Sequence, residues 1–406
     1  MLTRRAWFAL AASPLGAAVE FPQWRGPQRD GALPAFPLPD AWPAELKRKW
    51  RVEIGAGHAS PIYGGGRVFV FARQGEDETV RAIDPATGGT LWTQRYPAPY
   101  QMNAAATHHG KGPKSTPLLA GGRLYTFGIS GILSAWDAQS GKALWRKEFS
   151  RQYLETSPLY GTALSPVADQ GLLFAHVGGH DKGALTAFDA ATGEVRWRWD
   201  GDGPGYASPL VAELAGVRQV VTPTQQFIVG VARDNGELLW KTPLVTPYVQ
   251  NAVTPLPYRD MLLCSGLANG IWALRPQRAA GRITAPAVWH NKELSLYMSS
   301  PVLASDTLYG FSNRNRGMHF AMDARSGKLL WSGPGRQGEN AALLIAGGQL
   351  FSLNTSGELT IARCSPGGLE IVRTYPVAET ETWAHPLVLP EGILVKDLHH
   401  LTLWTV

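Results

Sequence analysis

The chain is poor in the residues that usually announce a chemistry. Its only cysteines, Cys264 and Cys364, lie far apart in apolar, strand-like runs. Both are expected to be buried free thiols, and two such positions do not establish a disulfide. Charged residues make up only 17 % of the 406, with no block of Lys or Arg. That argues against nucleic acid or an anionic membrane surface as a partner. No apolar run reaches the roughly 20 residues of a membrane-spanning helix, and no helical spacing of apolar residues runs through the body of the chain. Gly-x-Ser-x-Gly, His-Glu-x-x-His and Walker-type sequences are absent, and no carboxylate pair is marked. No catalytic residue and no metal ligand is therefore assigned.

What the chain has in excess is 45 Gly, 30 Pro and 15 Trp. Many turns and many large aromatic anchors indicate short strands. One eleven-residue box recurs: "AIDPATGGTLW" with Asp84, Gly88 and Trp92, "AWDAQSGKALW" with Asp137, Gly141 and Trp145, "AFDAATGEVRW" with Asp189, Gly193 and Trp197, and "AMDARSGKLLW" with Asp323, Gly327 and Trp331. A weaker copy keeps Gly236 and Trp240 but has Ala232 in place of the acid. Two others carry Arg275 before a lengthened turn that leads to Trp289, and Cys364 before Tyr375. The chemistry of the box is structural. Asp accepts from turn N–H groups, Gly takes the positive φ that closes a hairpin, and Trp fills the wedge between sheets while its N–H seeks a backbone acceptor.

A second mark is independent of the first. Ser60-Pro61, Thr116-Pro117, Ser165-Pro166, Ser208-Pro209, Thr254-Pro255 and Ser300-Pro301 each open an apolar run, with degenerate versions at Ala341-Ala342 and His385-Pro386. They recur about every 46 residues, a period that signals propeller blades. Each unit reads as four strands. The final unit has about three strands by the spacing of its turns, and "ELKRKWRVEI" (Glu45–Ile54) reads as a lone strand with a Trp. The fold expected is all-β: an eight-bladed propeller closed by pairing of the N-terminal strand with the last sheet, leaving no open edge. A seven-bladed ring is the alternative.

"MLTRRAWFALAASPLGAAVE" pairs Arg4 and Arg5 with a short apolar run ending in small residues, the pattern of an export signal over residues 1–18; the paired arginines resemble a twin-arginine signal, with an ordinary secretory signal as the alternative. No cysteine follows closely, which argues against a lipid anchor. Residues 19–46 then form a leader and 47–406 a single propeller domain. Without the signal the formal charge falls from +6 to about +4, a mild excess.

The Ala-x-Asp-x-x-Thr/Ser-Gly-x-x-x-Trp box resembles the tryptophan-docking repeat of the PQQ-repeat, quinoprotein-like propellers, over nearly all of residues 47–406. "FPQWRGPQRDG" (Phe21–Gly31) resembles the leader of exported bacterial propellers of this group. The resemblance is specific for fold and weak for function. It implies one of two roles. One is a PQQ- and calcium-dependent alcohol or sugar dehydrogenase. Against that stand the missing adjacent cysteine pair, the missing Cys-x-x-Cys-His haem motif, the shorter chain, and calcium ligands that cannot be placed beyond a lone Glu339-Asn340 pair. The other is a non-catalytic exported scaffold, such as the outer-membrane barrel-assembly propellers, whose lipid-bearing cysteine this chain lacks. We expect the second: a periplasmic or extracellular monomer of a bacterial envelope, without a cofactor, that binds a protein or small molecule.

Its site is expected at the channel mouth. The residues three to four positions before each Ser/Thr-Pro mark are His58, Lys114, Ala163, Tyr206, Asn251, Met298 and Trp383, with Tyr297 and Asn340 beside them. They mix aromatic surface with a few polar groups, as binding sites do. Three clusters are read as structural instead: the loop with His108, His109 and Lys111 as solvated, His176 and His180 around a double glycine as a hairpin, and Arg314, Arg316 and His319 as a charged strand connection.

Overall fold

The computed structural model of the chain describes residues 20–33 and 36–406; the expected export signal lies outside them. The described residues form nine sheets, of which eight are blades built of antiparallel strands and the ninth is a two-stranded hairpin. Blades one to four span Ile62–Pro97, Leu118–Lys147, Val167–Trp199 and Leu210–Pro243. Blades five to seven span Leu256–Asn291, Val302–Ser332 and Ala341–Pro376. Blade eight has three strands between Leu387 and Thr405, and its fourth is Lys47–Glu53, paired antiparallel with His400–Thr405. The N-terminal strand thus closes the ring, and eight blades replace the seven-bladed alternative. No helix among the described residues is long and apolar enough to cross a membrane.

The box explains how blades stack. Asp189 accepts from the N–H groups of Ala191 and Thr192 at 2.9 Å, and Asp84, Asp137 and Asp323 bond their own turns in the same way. The glycine of each turn lies under the preceding blade's tryptophan. Trp50, Trp92, Trp145, Trp197 and Trp289 donate through Nε1 to Pro85, Ala138, Ala190, Arg233 and Ala324 carbonyls of the following blade, at 2.9 to 3.3 Å. Each indole therefore satisfies its polar edge while its ring fills the gap between sheets. The apolar core lies mostly between blades, as where Phe69 and Trp92 meet Leu124 and Trp136.

The weak boxes depart for physical reasons. Gly230 stands where an alanine stands in the clean boxes, and a Cβ there would collide with Trp240. Trp240 folds back over its own blade and donates to Gln219 Oε1 at 2.6 Å. In blade five the lengthened turn is an added hairpin, Gln277–Ala279 with Arg282–Thr284, whose Ile283 packs into the core beside Trp240. In blade seven a long hairpin, Glu358–Ser365 with Gly368–Pro376, replaces the box, and Trp331 packs on its Gly368. Cys264 is buried and Cys364 only partly so; both are free thiols.

The Ser/Thr-Pro mark is also an interlock. Ser60 N–H donates to Thr116 Oγ1, Thr116 N–H to Ser165 Oγ, Ser165 N–H to Ser208 Oγ and Ser208 N–H to Thr254 Oγ1, at 2.9 to 3.2 Å. His385 N–H donates to Ser60 Oγ and joins blade eight to blade one. A hydroxyl at this position accepts from the preceding inner strand, whose N–H would otherwise be buried without a partner.

The leader is part of the ring. Phe21 pairs with Tyr63 of blade one, Leu119 N–H of blade two donates to the Pro22 carbonyl, and Ala32–Leu33 add a parallel strand to blade seven. Buried Arg29 donates to the carbonyls of Ser165 and Pro166 at 3.0 Å, and buried Arg25 donates to that of Pro301. The leader thereby ties the start of blade three to the start of blade six.

Candidate functional site

The connectors that precede the inner strands enclose a cavity of about 500 Å³ at the channel mouth. His58, Lys114, Ala163, Tyr206, Tyr297, Met298 and Trp383 line it. Two residues expected there do not. Asn251 is fully buried, and its Nδ2 donates to the carbonyls of Thr224, Gln225 and Leu244 while Oδ1 accepts from Thr246. Its neighbours Gln250 and Ala252 line the cavity instead. Successive side chains of an extended segment point to opposite sides, so a count one residue out selects the wrong face. Asn340 is likewise buried, and Glu339 takes the lining position.

Several lining residues come from segments the periodic count does not reach. The loop read as solvated contains a short 3-10 helix, Ala104–His109, capped by Asn103. It brings His108 and His109 to the mouth. His58 Nε2 lies 2.9 Å from the His109 carbonyl, and the His109 and Trp383 rings meet edge to face at 5.1 Å. From the leader comes Trp24, 5.8 Å from His385 and flanked by the guanidinium groups of Arg25 and Arg29. A tryptophan between prolines and arginines in "FPQWRGPQR" is the available sign that the leader reaches the cavity.

Burial sets the charge states. It pulls His58 down to about 3, helped by the positive Lys396. His385 falls to about 3 through burial and Arg25, and His109 to about 4 through burial and Lys114. Burial lowers Lys114 to about 8, and its Nζ donates to the Tyr160 carbonyl at 2.7 Å. At neutral pH the cavity presents aromatic faces, the uncharged imidazoles of His58, His109 and His385, tyrosine hydroxyls, one amine and the Glu339 carboxyl group. Such a surface stacks on flat or apolar groups and offers scattered hydrogen bonds.

A second, more open cavity of about 710 Å³ adjoins the first and shares Tyr248, Gln250, Tyr297 and Glu339 with it. Arg316 and Arg336 line it. The cluster with Arg314 therefore splits: Arg314 Nη2 bonds the Lys292 carbonyl, whereas Arg316 faces the cavity. His176 is buried and bonded to the Asp202 carbonyl, and His319 to Gln337 and Ser352.

A calcium-held quinone asks for an oxygen-rich cage. Among the described residues Glu339 is the single carboxylate lining the mouth cavity, and Lys114 shares that cavity. Among the described residues no three His, Cys, Asp or Glu are grouped to hold an ion. The residues do not fit that cage, and no step is derived through it.

A family model described as outer membrane protein assembly factor BamB matches residues 76–333. The chain belongs to this family of PQQ-repeat propellers. BamB of Shewanella oneidensis is 24 % identical over 267 residues, covering 62 % of this chain and 60 % of that protein. Quinohemoprotein alcohol dehydrogenase ADH IIB of Pseudomonas putida is 28 % identical over 144 residues, covering 35 % of this chain and 20 % of that protein. The matches to these relatives span three fifths of their length or less. Among solved structures, the quinohemoprotein alcohol dehydrogenase of Comamonas testosteroni superposes with a TM-score of 0.70 at 15 % identity, covering 95 % of this chain and 80 % of that one. BamB of Moraxella catarrhalis gives 0.60 at 16 % identity, covering 89 % and 100 %. These structural likenesses show the propeller fold alone.

Proposed function

We propose that this protein is an exported, non-catalytic binding or scaffolding propeller of the bacterial cell envelope. It docks a protein or small-molecule ligand at the channel mouth and uses neither PQQ nor calcium. The observation that carries this is the mouth cavity itself: aromatic rings from separate connectors and from the leader converge on one space, with imidazoles that burial keeps uncharged. Relatives named as outer-membrane assembly factors support a binding role in the envelope. His58, Lys114, Tyr206, Tyr297 and Trp383 are the contact residues we assign. Asn251 holds its connector through its side-chain bonds, and Asn340 is buried behind its own.

The test has two arms. Calorimetric titration with PQQ and Ca²⁺ is expected to give no heat; tight one-to-one binding abolished by a chelator would refute the reading in favour of the dehydrogenase role. Crosslinking in envelope extracts, followed by mass spectrometry, is expected to enrich a partner that Trp383→Ala and Tyr206→Ala lose.

A further inference from the structure

We propose that the second cavity is a carboxylate subsite for an acidic peptide segment, gripped by Arg316 and Arg336, with a neighbouring apolar side chain of the peptide resting on Tyr248 and Tyr297. This rests on the mouth being the docking face and names what the mouth takes.

The two arginines belong to different connectors that are locked together. Arg336 N–H donates to the Asn315 carbonyl at 2.9 Å and Gln337 N–H to that of Gly317 at 3.1 Å. A Cβ at Gly317 would collide with the Gly338 carbonyl, so the connectors touch backbone to backbone. His319 pins the pair from below, with Nδ1 2.7 Å from Gln337 Oε1 and Nε2 2.8 Å from Ser352 Oγ. The result is two arginines on adjacent, locked connectors that line one cavity.

The backbone there is costly. Asn315, Arg316 and Arg336 have φ of 53°, 61° and 65°, and across the cavity Tyr248 and Val249 both have φ of 58°. Non-glycine residues, and a β-branched valine above all, adopt this region only when their surroundings impose it. Other loops of the described residues hold such backbone too, but Tyr248, Arg316 and Arg336 line this one cavity together.

The chemistry selects the ligand. Among the described residues neither guanidinium of Arg316 or Arg336 makes a hydrogen bond or an ion pair, whereas Arg314 is bonded to a carbonyl. Two such forks suit a planar carboxylate. Glu339 also lines the cavity, and its charge opposes a dianionic phosphate more than a single carboxylate. The chain has no Lys or Arg block for a polyanion. The amides of Gln250 and Asn313 and the exposed ring of Tyr248, which is 73 % accessible, complete a surface for backbone amides and an apolar side chain beside an acid.

The test uses two fluorescein-labelled synthetic decapeptides. One alternates Asp/Glu with Phe/Tyr; the other carries Asn/Gln in place of the acids. Fluorescence anisotropy is read for wild type, the double variant Arg316→Gln/Arg336→Gln and Trp383→Ala, each shown to melt as wild type. The acidic peptide is expected to bind wild type at least about tenfold more tightly than its amide twin, with the double variant losing that preference. Equal binding of the two peptides, no binding of either, or an unchanged double variant overturns the proposal. So does displacement of the peptide by equimolar inorganic phosphate, which would make the cavity a phosphate site. A loss seen in Trp383→Ala but not in the double variant retains the mouth and sinks the subsite. The reverse pattern retains the subsite and sinks the wider mouth reading.

Discussion

Gly193 and Gly66 offer a matched pair for testing how the blades hold together. Both have φ of +72°, so an alanine at either suffers the same left-handed strain, about 1 to 2 kcal/mol. The same substitution also stiffens the unfolded chain equally at both, by about 0.4 to 1 kcal/mol. Their surroundings differ. A Cβ at Gly66 meets nothing within 4 Å, whereas at Gly193 it would lie 2.8 Å from Trp145 Cδ2 and 3.0 Å from Lys147 Cε. Trp145 is held by its bond to the Ala190 carbonyl and cannot retreat without losing it. Gly66→Ala should therefore cost no more than about 1 to 2 kcal/mol, and Gly193→Ala about 1 to 3 kcal/mol beyond that, the usual penalty of overpacking. Urea unfolding followed by tryptophan fluorescence measures both. Equal midpoints for the two variants would refute the argument that the indole plate, rather than the turn, fixes the glycine.

Two further outcomes follow from buried charge. Arg29→Met removes the donors to the Ser165 and Pro166 carbonyls and should cost about 2 to 4 kcal/mol, because two buried acceptors lose charged partners. Trypsin should then cut after Arg25 in the loosened leader, and unchanged resistance would show that the leader lies on the ring without bracing it. Acid should unfold the protein early. His58 and His385 at about 3 and His176 at about 4 lie below the usual 6.5, so the unfolded chain takes up their protons first. The stability they provide is complete above about pH 6.5 and is lost as pH falls towards 4. Lys396, lowered by burial to about 7, acts only above that window. Urea midpoints that stay flat between pH 6.5 and 4.5 would contradict these buried, neutral imidazoles.

The parts of the fold legible in the sequence are those whose causes are local. Asp189, Gly193 and Trp197 each act within the box or on its next copy, so a repeated spacing reveals them. Trp240 belongs to the same series by spacing but bonds Gln219 two strands away in its own blade, a choice made by the missing Cβ of Gly230 on the strand between them. Arg29 reaches acceptors on blade three, and no period connects them. At the mouth, counting back from each proline finds the right connectors, but extended chain alternates its faces, so Asn251 turned inward while Gln250 and Ala252 lined the cavity.

The departures from the repeat are not scattered. The hydroxyl interlock runs unbroken from Ser60 to Thr254, and among the described residues no such bond joins Thr254 to Ser300. Between blades six and seven the bond runs the other way, from Ala341 N–H to Ser299 Oγ. On this same side Trp240 turns back, blade five carries its extra hairpin and blade seven lacks the box. The leader compensates there, with Arg25 on the Pro301 carbonyl and Ala32–Leu33 on blade seven. Sequences that specify a fold agree at every level except where function asks for something else. The connectors over the irregular side hold five of the non-glycine residues with positive φ, the second cavity, and two arginines whose guanidinium groups have no partner among the described residues. A ring of eight identical interlocks would leave no connector free to shape such a cavity. Among the described residues two interlocks are lost, between blades five and six and between seven and eight, and one is reversed, and the leader's bonds to blades six and seven hold the inner strands there in place of them.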